Sequence, residues 1–516
     1  MKPITSEDLQ AAGYLPGPHL EAMLRQAAEY QLRGISDVKY LLKLLRRDFA
    51  PPPPKFVMRD SPAPLAEAIR AESAEEKRNL AAARRQMQQL LLTPVITRGA
   101  IFPDACPAGV ATAVIPVGGA IAVENALIPS AHSADICCSM MATFYDPRSQ
   151  VAAELDALVA STRFGTGHRH FDDLVHDPVI DEDVWENRFL SGLRDHARSQ
   201  IADQGDGNHF AFLGEMEVTA ELLASLRGAG YAGLVDSLAS APQSLRVLVT
   251  HHGSRALGAH VFKRGQIAAE KHVARVAERI PAAAAWLDFH SDIGQAYWDA
   301  LQYVRRWTLA NHRAIHRRFL ERIGAPPIAE VGNEHNFVWK RGEMFYHGKG
   351  ATPAWKDEHG RPLLGLIPLN MAEPILLVLG RGQEDFLSFA PHGAGRNLSR
   401  TALRRQFPDP EERRRWIDHS TRGIDVRWYS GKPDLSETPL AYKDAAAVKA
   451  QIEEFGLAQV IAEIRPLGCV MAGESDRKWR DEEELTAKQL RQIGHRAERR
   501  KTKQHLQDSE TDELTP

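Results

Sequence analysis

Cysteine is scarce. Four residues in a chain of 516 cannot form the disulfide framework that holds small secreted domains together. Long hydrophobic runs are also missing. No stretch of about 18 apolar residues offers a membrane-spanning helix, and the opening Met1-Lys-Pro-Ile-Thr-Ser-Glu-Asp8 lacks the apolar centre of a secretion signal. The expected compartment is the cytoplasm, with no membrane partner. Charge of one sign is lacking as well, since 64 Lys and Arg face 67 Asp and Glu for a net charge of −3. Any nucleic-acid contact must therefore use a local basic patch rather than a global field. No internal repeat occurs, and no low-complexity segment beyond the prolines at 51–54.

What remains is an ordinary globular composition, 43% hydrophobic and 25% charged, in a chain long enough for two or more domains. Residues 1–55 read as a helical extension, closed by prolines that helices do not tolerate. Residues 56–95 read as a linker helix, with 62–92 as one long amphipathic stretch. Residues 96–473 form the main body. Strands are expected at 111–117, 120–123, 127–129, 245–250, 375–379 and 459–464, and helices at 261–279, 293–319 and 443–455. That alternation predicts an α+β fold with a mixed α/β core. Residues 474–516 are dense in charge and poor in large apolar residues, a solvated helix or a disordered tail.

Chemistry-bearing residues gather in short glycine-loosened clusters. The most pointed is Phe389-Ala-Pro-His-Gly-Ala-Gly-Arg-Asn-Leu-Ser-Arg400. Glycines after His392 clear room for a bulky group to reach the imidazole. Arg396 and Arg400, four apart, share a face if the segment turns helical, and guanidinium forks suit phosphate oxygens. Ser133-Ala-Asp-Ile-Cys-Cys-Ser139 offers a carboxylate, Asp135, and two thiols. Asp135 and Cys138 pair a hard oxygen with a soft sulfur, as borderline divalent ions prefer. Gly205-Asp-Gly-Asn-His-Phe210 presents Asn208 beside His209. Val247-Leu-Val-Thr-His-His-Gly-Ser-Arg255 runs a strand into two histidines, and Gly332-Asn-Glu-His-Asn336 repeats the His–Asn pair. Phe345-Tyr-His-Gly-Lys-Gly-Ala-Thr352 adds Lys349. Any single cluster also fits ordinary packing, a core histidine or a turn aspartate. Together they point to a metal-dependent enzyme acting on phosphates.

The order and wording of these clusters resemble the RtcB family of RNA ligases over residues 102–473. The resemblance is carried by Pro103-Asp-Ala-Cys-Pro, Ala134-Asp-Ile-Cys-Cys, Gly207-Asn-His-Phe, His251-His-Gly-Ser-Arg, His335-Asn, Gly348-Lys-Gly-Ala-Thr, His392-Gly-Ala-Gly-Arg, Ala441-Tyr-Lys-Asp and Arg465-Pro-Leu-Gly. It implies a polar, metal-binding central cleft holding two Mn²⁺ ions. Asp135, His209 and His251 would serve one ion and His335 the other, with Cys138 bridging and Cys137 the alternative thiolate. It also implies that His392 takes GMP from GTP. Joining of a 3′-phosphate or 2′,3′-cyclic-phosphate RNA end to a 5′-hydroxyl would follow, in RNA repair or tRNA splicing. Arg255, Lys349, Arg396 and Arg400 would hold RNA or nucleotide phosphates. Asn208, Phe210, Asn336, Pro368, Asn370, Met371, Gly393, Ala394, Gly395 and Tyr442 would line the nucleotide pocket.

Several positions depart from the family pattern. Ala211 and Phe212 follow Asn-His-Phe where the family usually has an aliphatic residue and a glutamate. Met471-Ala-Gly473 replaces a Lys-Gly ending, Asn370 stands for serine and Gly348 for arginine. The first two lost groups are of the kind that reads a guanine edge, with Glu215, Glu217 or Lys478 as candidate substitutes. The nucleotide base is therefore open. The alternatives to a GTP-dependent ligase are a nucleotidyl-transfer enzyme using another nucleotide, a metallo-phosphoesterase, and a catalytically impaired RNA-end-binding protein.

Overall fold

The computed structural model describes residues 3–14, 18–49, 55–109 and 111–474. The prolines at 51–54 and the charged tail from 475 onward lie outside the described residues. The strand Ser244–His252 shows how the fold is built. Its sequence is almost continuously apolar, as a strand covered on both faces requires, and every residue from Leu245 to His252 is buried. Leu245, Val247 and Val249 join a core with Phe144 and Phe212, while Leu248 points the opposite way to Tyr145, Leu213 and Phe319. The strand belongs to an eight-stranded sheet. In order across it run Ala329–Glu334, Ser139–Tyr145, Ser244–His252, Phe210–Glu217, Ala458–Met471, Ile375–Gly380 and Leu364–Pro368, all antiparallel, with Asp425–Trp428 paired in parallel beside Ala458–Met471.

A second sheet of five strands runs Asn336–Arg341, Met344–Lys349, Val117–Glu124, Ile96–Cys106 and Leu65–Glu67. The chain passes from one sheet to the other at His335, between Ala329–Glu334 and Asn336–Arg341. That junction sets the cleft between the sheets.

The long helix Asp292–Ile323 starts where the Ser291 hydroxyl accepts from the Gly294 N–H at 3.1 Å, and ends at Gly324 in the left-handed region. It lies against the larger sheet. Its buried His312 and His316, one turn apart, hydrogen-bond Ser139 (3.0 Å) and Thr143 (2.7 Å), and both meet Thr250. These histidines are satisfied core groups. The mixed α/β architecture agrees with the expectation from the sequence.

Four expected elements differ, the shortest at 127–129, where the strand is only Ala126–Leu127 and Pro129–His132 forms a 3₁₀ turn. Residues 62–92 are not one helix. Pro62 and Pro64 keep the chain extended, Leu65–Glu67 becomes an edge strand, and the helix begins only at Ala74, where Ser73 and Glu76 form a capping box. Residues 111–116 form a loop, and the strand starts at Val117. The expected short strand at 459–464 is the fourteen-residue Ala458–Met471. The N-terminal helices Ser6–Ala11, Pro18–Leu32 and Val38–Asp48 close on a small core of their own, including Leu9, Met23 and Leu41. Among the described residues, no helix is long and apolar enough to cross a membrane.

Candidate metal and phosphate cleft

Four segments bring the donor atoms together. His251 is the penultimate residue of the strand Ser244–His252, and its Nδ1–H donates to the Asn208 carbonyl at 3.1 Å. That bond sets the tautomer and leaves the Nε2 lone pair free for a ligand. Nε2 lies 3.2 Å from the Cys138 sulfur and 3.1 Å from His335 Nε2. His209 Nε2 lies 3.6 Å from the same sulfur and 2.9 Å from the Asp135 carboxylate. Two donor groups result, Asp135–Cys138–His209 and Cys138–His251–His335, each with its ligand atoms within 4.8 Å of one another. Cys138 belongs to both. His251 therefore groups with His335, whereas the sequence reading had grouped it with His209.

The donor chemistry fits a divalent ion. Burial holds the His251 imidazole down at about 3 and His335 well below the ordinary histidine range, so both are neutral ligands at neutral pH. Burial, and then the Asp135 charge, push the Cys138 thiol well above its usual range. Burial alone would raise Asp135, but the His209 ring together with Cys138 and His251 outweighs it and the carboxyl sits at about 2. A thiol, three imidazoles and a carboxylate make a mixed set suited to borderline ions.

Local backbone explains which cysteine faces the cleft. Cys137 adopts a left-handed φ of 59°, its N–H donates to the Asn336 carbonyl at 2.6 Å, and its side chain sits in the apolar core. Asn336, expected in a nucleotide pocket, does not line the cavity beside His392. Its side-chain oxygen accepts from Gly350 N–H and its amide reaches the Asp135 carbonyl, so it pins the Asp135–Cys138 loop. Gly253 is a steric requirement, because a Cβ there would lie 1.9 Å from the Asp135 carboxylate.

His392 stands at the edge of this cluster, its ring 4.9 Å from that of His335. Its Nδ1–H donates to Asp104 Oδ2 at 2.6 Å. Asp104 is wholly buried, and the Lys443 ammonium donates to the carbonyls on either side of it, at Pro103 (2.7 Å) and Ala105 (2.8 Å). The glycines act differently from the sequence expectation. Gly395 is needed because a Cβ would meet the Asp104 carbonyl at 2.1 Å. Gly350, from another motif, is the one whose missing Cβ faces the His392 ring, at 3.0 Å.

Beside His392 opens a cavity of about 210 Å³. Asn208, Phe210, Pro368, Asn370, Met371, Gly393, Ala394, Gly395 and Tyr442 all line it, as do Arg396 and Arg400. A wider groove of about 780 Å³ continues past Asp135 and His209 and includes Lys349 and both arginines. The arginines do not share a helical face. The helix starts at Arg400 behind the Ser399 cap, and Arg396 lies in the loop before it. They converge on buried Glu437 instead, Arg400 Nε at 2.9 Å and Arg396 Nη1 at 3.4 Å, with Tyr442 donating to the same carboxylate at 2.9 Å. Two guanidiniums against one carboxylate leave a net positive charge facing the cleft. Arg255 lines neither cavity. It is packed under the Gly205–His209 turn, donates to the Gly165 carbonyl at 2.7 Å and faces the Asp203 carboxylate. Glu215 and Glu217 pair with Arg465 away from the cavity wall, so neither replaces a base-reading group there, and Lys478 lies outside the described residues.

Asp104 and Glu437 were missed as functional residues. Asp104 stands inside a motif that carries the resemblance, but nothing in its neighbours marks it as the partner of His392. Glu437 has no local signal at all.

Fold and site together define a class: mixed α/β proteins whose central cleft sets a carboxylate-held histidine beside a donor cluster fit for divalent ions. The comparisons narrow this class. Residues 179–472 match the family described as tRNA-splicing ligase RtcB, and the chain belongs to the RtcB family. It is 30% identical over 347 residues to the RNA-splicing ligase RtcB of Mycobacterium tuberculosis, a match covering 61% of this chain and 76% of that protein. To the tRNA-splicing ligase RtcB of Pyrobaculum aerophilum it is 26% identical over 425 residues, covering 69% of this chain and 84% of that one. The Pyrococcus horikoshii tRNA-splicing ligase RtcB is 28% identical over 306 residues, 52% of this chain. This chain spans only 33% of the length of that relative.

Proposed function

We propose that this protein is an RNA ligase that joins 3′-phosphate or 2′,3′-cyclic-phosphate ends to 5′-hydroxyl ends through a nucleotide carried on His392, in RNA repair or tRNA splicing. The observation that carries the reading is the 2.6 Å bond between His392 Nδ1 and the buried Asp104 carboxylate. With Asp104 accepting, the proton stays on Nδ1 and the Nε2 lone pair is the nucleophile. Asp104 then stabilises the positive charge that the ring gains on attack. Arg396 and Arg400 hold phosphate oxygens, and Lys349 extends the positive wall along the groove where RNA would lie. Divalent ions, expected to be Mn²⁺, when bound at the two donor groups would supply charge neutralisation for the in-line displacements.

The test is joining of an RNA pair bearing a 3′-phosphate and a 5′-hydroxyl, with Mn²⁺ and a mixture of all four NTPs. Joined product is expected from the native chain and none from His392→Ala. Joining that survives in His392→Ala would overturn the reading.

A further inference from the structure

The cavity beside His392 is charged at one end and apolar at the other. Arg396, Arg400 and Glu437 stand at the charged end, which is shared with the open groove. The apolar end is one face of two paired strands. Phe210 lies opposite Met471, and Phe212 opposite Cys469. Directly paired residues and alternate residues along a strand share a face, so these four side chains form one surface. The neighbouring strand places His251 beside Phe210 and Val249 beside Phe212. Two residues along each strand, metal chemistry gives way to hydrocarbon and sulfur. Phe212, Cys469 and Met471 are buried with Met371 and Ile375 in the same core.

We infer that this apolar end receives the base of the nucleotide and does not select guanine, so that ATP loads His392 at least as well as GTP. The inference rests on the ligase reading above and adds the identity of the co-substrate. Guanine brings an N1–H, an exocyclic amino group and a carbonyl to a wall of Phe212, Met371, Ile375, Cys469 and Met471, whose side chains offer no oxygen or nitrogen acceptor. Strand backbone groups there are already engaged in the ladder. Buried donors left without acceptors are penalised heavily. Adenine carries fewer polar atoms. Asn370 lines the cavity, where its oxygen accepts from Ala372 N–H at 2.9 Å and its amide can donate to an adenine ring nitrogen. Apolar pockets discriminate between similar ligands by about 10- to 200-fold, whereas hydrogen-bonding sites reach about 10⁴-fold or more.

The loading step balances without a further reactant. His392 Nε2 attacks the α-phosphorus, the N–P bond forms, and the bond to the bridging oxygen breaks. Pyrophosphate leaves with the electron pair, and the Nδ1 proton stays between the ring and Asp104.

The test incubates the full chain, shown by metal analysis to hold Mn²⁺, with each α-labelled NTP separately at one sub-saturating concentration. Covalent label is expected with ATP at a yield equal to or above GTP, and with none in His392→Ala. Equilibrium binding of ATP and GTP to His392→Ala, which cannot form the adduct, should give the same order. Phe212→Glu, which sets an acceptor against guanine's N1–H and amino group, should raise the GTP:ATP ratio at least tenfold, while Phe212→Leu leaves it unchanged. If Phe212→Glu does not fold, the native yields and the binding ratio decide alone. A native yield with GTP above that with ATP, matched by tighter GTP binding to His392→Ala, overturns the inference and leaves the ligase reading standing. No adduct with any NTP overturns both.

Discussion

His392 is held by a residue 288 positions away in the chain. In the proposed ligase its nucleophilicity would depend on which ring nitrogen keeps the proton, and the Asp104 carboxylate decides that. Asp104→Asn is nearly the same size, but its amide can present a donor to the ring and so stabilise the wrong tautomer. The expected result is a fall of about 10²- to 10⁴-fold in the single-turnover rate of His392 labelling, with the melting temperature and nucleotide affinity little changed. An unchanged labelling rate would make Asp104 a packing residue. The histidine was legible in the sequence because glycines and arginines surround it. The aspartate was not, since its neighbours Pro103 and Ala105 have no chemistry of their own and its partner is reached only through the fold.

At the scale of the element, a one-residue step in the Asp135–Cys138 loop decides which thiol faces the cleft. The left-handed turn at Cys137 sends its side chain into the core and puts Cys138 Sγ between His209 and His251. Cys138→Ala is expected to abolish Mn²⁺ retention by metal analysis and His392 labelling with it. Cys137→Ala keeps both, at a stability loss of about 1 kcal/mol for a small buried side chain. Reversed behaviour of the two variants would move the ligand to Cys137. The asymmetry was visible in outline from the Asp–Cys spacing. The arginine pair shows the opposite outcome. A spacing of four suggested a helical face, but Ser399 caps the helix only at Arg400, and a distant carboxylate brings the two guanidiniums together.

For the molecule as a whole, the Arg396–Glu437–Arg400 cluster ties the loop after His392 to the segment preceding Tyr442. Burial would raise the Glu437 carboxyl, but Arg400 and Arg396 outweigh it and hold it below its ordinary 4.5. A carboxyl lowered in the folded state contributes stability that is present above about pH 4.5 and is lost as pH falls through the folded value. Glu437→Gln should therefore destabilise the protein by about 3 kcal/mol at pH 7, the low end for breaking a buried pair, because Arg400 keeps some solvent contact. The gap between native and variant melting temperatures should close as pH falls through the lowered folded-state value of Glu437. A gap independent of pH would show that the lost packing, not the charge, is responsible.

Residue chemistry and local periodicity were readable from the chain: the strand carrying His251, the long helix after Ser291, the donor types, and the motif order that marks the RtcB family. These are short-range properties, set by side-chain identity and by alternation over a few residues. The regrouping of His251 with His335, the retirement of Arg255 and Asn336 to supporting roles, and the pairing of Phe212 with Cys469 depended on strand register and on how the two sheets meet at His335. Register between distant strands is fixed by the burial of whole faces at once, a cooperative property that no single stretch of sequence carries.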